Sequence, residues 1–422
     1  MLPQPGALRP RARVSAIIGE SRRRAGAQPY PLTMTLRNKA AIVGIGESDI
    51  GKLPHMTGLA LNAQAAQRAL ADAGLKRSDI DGLLTAYSLS EPYFMYGTVL
   101  TEYLGLRPRY CTSMVTGGAT PAVMLGHAAA AIAAGQCETV LICVGENRAT
   151  GQSRDQAVAT LASAVGHPHY EYPYGTSIPG QYAMIARRYM HEYGITREQL
   201  ARVAVTTRAH ACLHPNSQMK TPITIADVLG AKPIADPFTL LDCCLISDAA
   251  GALIVTSAER ARDLVARPAY LLGVGECHTH EHLVCAPSLT EFGAAESGER
   301  AYSMAGLGPN DIDVIELYDC FGIVPIIELE ELGFCRRGEG GAFYGAGHTA
   351  LGGKLPNNTH GGMLSHAHAG AAGGMLGIIE AAAQLRGGLG PRQVPGAHVA
   401  LVHNEGAILS SHCTVILADE PR

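Results

Sequence analysis

Four stretches of the 422-residue chain hold the side chains best suited to chemistry. The loop Gly361-Gly362-Met363-Leu364-Ser365-His366-Ala367-His368, with His360 just before it, gathers three histidines among glycines. Imidazole titrates near neutrality, so it suits a general base. Tyr318-Asp319-Cys320-Phe321 offers a phenol that can donate to an oxyanion, or exchange a proton if its pKa is depressed. Thr116-Gly117-Gly118 offers glycine backbone donors for an oxyanion beside a hydroxyl that attacks only with a dedicated base. His403-Asn404-Glu405-Gly406 adds one more histidine in a turn near the C-terminus. Against these stand plainer readings: a loop of glycine and histidine closes a turn, and a core tyrosine satisfies its own hydroxyl.

These residues need positioning elements, and the pattern supplies them. Lys39-Ala-Ala-Ile-Val-Gly-Ile-Gly-Glu reads as a short apolar strand entering a glycine turn. Gly44 and Gly46 lack the third glycine of a dinucleotide fingerprint. Alanine-rich helices are predicted over 59–73 and 120–134, with Gly74 and Gly135 as their stops. Thr139-Val-Leu-Ile-Cys-Val-Gly is apolar throughout, as a strand buried on both faces should be. Residues 151–238 break the rhythm, with Tyr170, Tyr172 and Tyr174 clustered and an amphipathic helix predicted over 179–193. The strand pattern returns at Gly251-Ala-Leu-Ile-Val.

An internal repeat sets the architecture. Ala73-Gly-Leu-Lys-Arg-Ser-Asp-Ile-Asp-Gly-Leu-Leu recurs as Ala305-Gly-Leu-Gly-Pro-Asn-Asp-Ile-Asp-Val-Ile-Glu. The helix at 120–134 and its strand are echoed by a helix at 371–386 and Ala397-His-Val-Ala-Leu-Val-His. Two βαβ-rich halves follow: 38–150 plus 239–262, and 263–422, with 151–238 as an inserted loop domain. Residues 1–37 hold seven arginines and one acid, Glu20; they read as a disordered leader, a transit peptide, or sequence upstream of a start at Met34.

Composition excludes several classes. Net charge is −4 and tryptophan is absent, so a nucleic-acid surface has neither its cations nor its stacking platform. No apolar run reaches the length of a membrane span. The 11 cysteines lack paired metal-type spacing, so no metal ligands are predicted; their odd number opposes a disulfide framework, and a reducing cytoplasm is the simplest compartment.

The repeat, the insertion, Tyr318-Asp-Cys-Phe, Asn358-Thr-His-Gly-Gly-Met-Leu-Ser, Lys220-Thr-Pro and Ser247-Asp-Ala-Ala-Gly-Ala together resemble the thiolase superfamily, in its sterol-carrier and lipid-transfer-like branch. The resemblance spans Lys39 to Leu417. It implies an α/β thiolase fold, two duplicated halves with mixed five-stranded sheets in an αβαβα arrangement. It places Thr116 where a thiolase keeps its nucleophilic cysteine, and His368 at the catalytic histidine. Tyr318 falls where thiolases carry asparagine or histidine, and aldolases of this branch have the same tyrosine. Catalysis is thereby assigned to Tyr318, His368 and His360, and oxyanion or substrate contacts to Thr116, Gly117, Gly118, His366, Asp319 and His403.

With no thiolate to carry an acyl group, retro-aldol cleavage of a β-hydroxyacyl-CoA fits best. A thiolase-type acyltransferase and a non-catalytic acyl-CoA or lipid carrier or scaffold remain as alternatives. The resemblance implies a coenzyme A thioester as substrate, no covalently bound cofactor, a homodimer core, and a zinc-ribbon/OB-fold partner completing a heterotetramer.

Overall fold

The structure, a computed structural model, describes residues 35–264 and 267–422; the arginine-rich segment through Met34 lies outside them. In chain order the elements that matter here are β1 (Ala40–Glu47), α1 (Gly58–Ala73), β2 (Gly82–Ala86), β3 (Tyr110–Met114), α2 (Thr120–Ala133) and β4 (Thr139–Asn147). Then come α3 (Ile178–Tyr193), α4 (Arg197–Ala211), β5 (Asp248–Ser257), β6 (Ala269–His278), α5 (Ala294–Ala305) and β7 (Val314–Leu317). The last are α6 (Val324–Glu331), α7 (Ala372–Arg386), β8 (Val399–Gly406) and β9 (Ser411–Ala418). Local chemistry sets their ends. Thr57 caps α1 by accepting from the Ala60 amide, and Gly74 ends it at a left-handed φ of 67°.

The strands form one mixed sheet of nine, in the order β3-β2-β4-β5-β1-β6-β9-β8-β7. Five come from the first half and four from the second, joined where β1 and β6 pair over only two positions. The pairings repeat: β2 is parallel to β4 and β4 antiparallel to β5, as β7 is parallel to β8 and β8 antiparallel to β9. The predicted α/β thiolase fold is therefore present, with a finer difference from two five-stranded sheets. A fifth strand of the second half is reduced to a single bridge between Ile315 and Asn357. Pro356 just before that bridge carries no amide proton, and Asn358 just after it turns left-handed with φ 53°, so extended pairing cannot continue.

Side chains alternate across the strands and build three cores. On β4, Val140, Ile142 and Val144 face a central layer with α2 and α7, whereas Leu141 and Cys143 face an outer layer with α1. Leu401 of β8 and Ile416 of β9 face the opposite outer layer, which α3, α4 and α5 complete. The segment between β4 and β5 thus packs over the second half's sheet. No described helix is long and apolar enough to cross a membrane.

Candidate active site

The two central helices bring the site together. The turn Thr116–Gly118 leads into α2, and the segment from His368 leads into α7. A side chain on Gly374 would lie 2.6 Å from the Gly118 carbonyl, so the two helix starts meet closely. Their positive ends favour anionic oxygen at this point. Pro121 in the first turn of α2 is tolerated because its missing N–H would have no helical partner.

Tyr318 follows β7 and is buried. Its hydroxyl lies 3.4 Å from His368 Nε2, with the rings edge-to-face. His368 Nδ1 lies 3.3 Å from the Leu245 carbonyl. A carbonyl only accepts, so it holds the imidazole proton on Nδ1 and leaves the Nε2 lone pair facing the phenol. The backbone amide of His368 donates to Ser247 Oγ at 3.1 Å, and the Ser247 amide donates back to the His368 carbonyl. His368 is half-buried, so the pair remains open to a ligand.

Electrostatics separate the two groups. Burial, helped by the Arg148 cation, pulls His368 down to about 4, so it is a neutral acceptor at pH 7. Burial, with Cys320 and Glu405 nearby, pushes the Tyr318 phenol well above its ordinary value, so it stays protonated. One is a base and the other an acid over the whole physiological range.

Gly118 lies directly against the phenol. A Cβ there would stand 2.1 Å from the Tyr318 hydroxyl, and one on Gly117, with φ 60°, would stand 2.7 Å from the Ala407 amide. Only glycine fits. The Thr116 hydroxyl bonds Thr120 Oγ1 at 3.2 Å, and Thr120 in turn donates to the Gly117 carbonyl at 2.6 Å. Among the described residues, no histidine or carboxylate hydrogen-bonds the Thr116 hydroxyl, so none activates it as a nucleophile.

The thiols near the site are also inactive. Cys320 Sγ donates to Glu405 Oε1 at 3.3 Å, and burial, with Glu405 and Cys244 nearby, pushes it well above the ordinary thiol range. Burial raises Cys244 as well. Reactive cysteines carry depressed pKa values.

Asp319 positions the loop instead of touching the pair. Its Oδ1 accepts from the Met363 amide at 2.6 Å, and burial pushes its carboxyl up to about 6. This contact fixes the wide helical turn Gly362–His366 that aims His368.

The other predicted histidines sit elsewhere. His360 is buried with Nδ1 2.9 Å from Glu316 Oε2; burial alone would lower its pKa, but Glu316 and Glu380 outweigh this and raise it. Thr359, Glu380, Gln384 and Arg392 complete that buried polar network. His366 contacts Ser217, Glu47 and the edges of His214 and His360. His403 departs from the expectation that it faces the site. Its ring nitrogens meet Thr414 Oγ1 at 2.8 Å and His412 Nδ1 at 3.1 Å. The reason is strand alternation: His403 shares a face of β8 with the outer-layer residue Leu401, while its neighbour Asn404 reaches the Gly374 carbonyl of α7.

Sequence reasoning passed over Glu405. Its carboxyl accepts from the Tyr182 hydroxyl of α3 and from the Leu409 amide, and burial pushes it up to about 7. It stands in the His-Asn-Glu-Gly stretch that ends β8, and an acid following the apolar run Val399–Val402 was the available signal. Arg148, one residue past β4, is the other.

Comparison with known proteins agrees with this frame. Residues 275–419 match the family model described as thiolase C-terminal domain-like. The chain is 38% identical over 365 residues, 83% of it and 91% of its relative, to a steroid side-chain-cleaving aldolase of Thermomonospora curvata. It is 38% identical over 371 residues to a 17-hydroxy-3-oxo-4-pregnene-20-carboxyl-CoA lyase of Mycobacterium tuberculosis, covering 83% of the chain and 92% of the relative. An acetyl-CoA acetyltransferase of Methanothermobacter thermautotrophicus is 33% identical over 371 residues, 87% of the chain and 96% of the relative. A solved Ltp2-ChsH2(DUF35) aldolase superposes with a TM-score of 0.81 at 36% identity, covering 91% of this chain and 99% of the other. The chain belongs to the thiolase superfamily, in its sterol-carrier and lipid-transfer-like branch. Within that branch its strong relatives include both carbon–carbon lyases and an acetyltransferase.

Proposed function

We propose that this protein is a carbon–carbon lyase that cleaves a β-hydroxyacyl-CoA by a retro-aldol reaction. The observation that carries the proposal is the opposed pair: a neutral His368 acceptor 3.4 Å from a protonated Tyr318, with no activated nucleophile beside them among the described residues.

In this reading His368 Nε2 takes the β-hydroxyl proton. The O–H electrons form the new carbonyl, the Cα–Cβ bond breaks, and its electrons pass into the thioester enolate. Helix starts and backbone amides around Gly117 stabilise the enolate oxygen. Tyr318 then donates its proton to Cα, completing the shortened acyl-CoA. The imidazolium, a strong acid in this setting, returns a proton to the phenolate across their contact. Atoms and charge balance without a covalent acyl-enzyme. The aldolase and lyase activities named for two relatives support this assignment, and the substrate named for one of them has a coenzyme A thioester.

An acetyltransferase relative favours acyl transfer as the second reading, but that chemistry needs an activated thiolate, and the described thiols near the site are held protonated. Two observations support the partners that the family resemblance implies. Strand β3 is the sheet's free edge, and Tyr93, Phe94, Met95 and Val115 are exposed close to it in sequence, which supports a homodimer. The solved aldolase named with a DUF35 protein supports a zinc-ribbon/OB-fold partner and a heterotetramer. The described cysteines are all free, which fits a reducing cytoplasm.

The test is kinetic. With the partner complex and a β-hydroxyacyl-CoA, Tyr318→Phe and His368→Ala should each lower kcat by about a thousandfold or more, with folding retained by circular dichroism. Near-wild-type turnover in both variants removes the lyase assignment.

A further inference from the structure

A second cluster lies beside the loop that carries His368. Glu47 ends β1, His214 follows α4, and His366 stands two residues before His368; one ligand-capable atom of each lies within 4.8 Å of the others. His214 and His366 are buried and pack edge-to-face, with centroids 4.4 Å apart.

Polar contacts fix the ring of His366 on both nitrogens. Its Nδ1 lies 2.9 Å from Ser217 Oγ, whose hydroxyl also reaches the His360 carbonyl at 3.1 Å. Its Nε2 faces a Glu47 carboxylate oxygen at 3.2 Å.

We infer that Glu47, His214 and His366 form a binding site for a divalent transition metal of the zinc type. Two ligands about 2.0–2.1 Å from a tetrahedral ion lie about 3.4 Å apart, close to the His366–Glu47 spacing. Nitrogen and carboxylate donors suit zinc. Outer-shell contacts already orient the set: Ser217 holds His366, and Asn216 Nδ2 donates to Glu47 Oε2 at 3.0 Å. His214 is the third donor. Its Nδ1 now accepts from the Asn216 amide at 3.1 Å. A metal displaces that contact, either by binding Nδ1 or by binding Nε2 with the ring proton moved to Nδ1. The bound ion would tie β1, the segment after α4 and the His368 loop into one unit.

The experiment uses the full chain, stripped with a chelator and titrated with Co²⁺ and then Zn²⁺. One equivalent of Co²⁺ should bind with the visible absorption of a four- or five-coordinate site, Zn²⁺ should displace it, and the melting temperature should rise. Glu47→Gln and His214→Gln should each weaken binding on the order of 100-fold or more, while Ser217→Ala, which keeps every ligand, should weaken it about 10–100-fold. Absence of stoichiometric binding overturns the assignment. Full-strength binding in the folded variants overturns it equally.

Discussion

At the scale of single residues, the proposed site keeps an acid and a base apart in pKa while holding them in contact. Because His368 titrates at about 4, its competent neutral form predominates above that value and is lost as pH falls through it. Tyr318 ionises only well above its ordinary value, so it removes nothing on the alkaline side in the neutral range. The profile of kcat/KM against pH should therefore fall with an inflection near 4 and stay level from pH 6 to 9. An inflection near 6.5, the value of an unperturbed imidazole, would show that the His368 environment is not as described. Gly118→Ala should abolish turnover, because its methyl would stand 2.1 Å from the Tyr318 hydroxyl and push the phenol off His368; wild-type turnover in that variant would contradict the contact. Tyr318, His368 and the Thr116–Gly118 turn were legible in the sequence because each lies in a contiguous, recognisable stretch. His403 was misplaced because a residue's face on a strand depends on register, which spacing within one turn does not reveal. The Glu47–His214–His366 cluster gave no sign, since three distant segments contribute one ligand each.

At the scale of elements, Asp319 and Gly362 show how a loop is aimed. Gly362 adopts φ 55°, and a Cβ on it would meet Asp319 Oδ2 at 2.1 Å. The carboxylate in turn receives the Met363 amide. Asp319→Ala leaves that buried donor without its partner, so chemical denaturation should show a loss of about 1–3 kcal/mol, accompanied by reduced kcat. Unchanged stability would mean that the turn is held by other contacts. The helices and strands that the sequence named lie close to where period placed them. The helix predicted from 179 begins at Ile178, and that predicted over 120–134 ends at Ala133. Less readable was the shortened edge beside β7, where Pro356 and the left-handed Asn358 outweigh the repeat that otherwise predicts a fifth strand.

At the scale of the whole molecule, duplication explains the geometry of the site. Each half places one helix in the central layer, and both helices start at the same point, so an anionic oxygen there would meet two positive helix ends at once. The core between them is closely packed, and Leu376 of α7 is fully buried within it. Leu376→Ala should cost about 2–5 kcal/mol in an unfolding titration. A change below 1 kcal/mol would mean that the layer relaxes around the cavity. The sequence repeat made this duplication visible, whereas the packing of the 151–238 segment over the second half's sheet needed coordinates. The central claim is that bond cleavage proceeds without acyl capture. Intact-protein mass spectrometry during turnover of a β-hydroxyacyl-CoA tests it most directly, with Thr116→Ala run alongside. The account predicts a released carbonyl compound and a shortened acyl-CoA, an unshifted protein mass, and a Thr116→Ala rate within about tenfold of wild type, well short of losing a catalytic group. An acyl adduct on the protein, with products formed only when free coenzyme A is added, would contradict it.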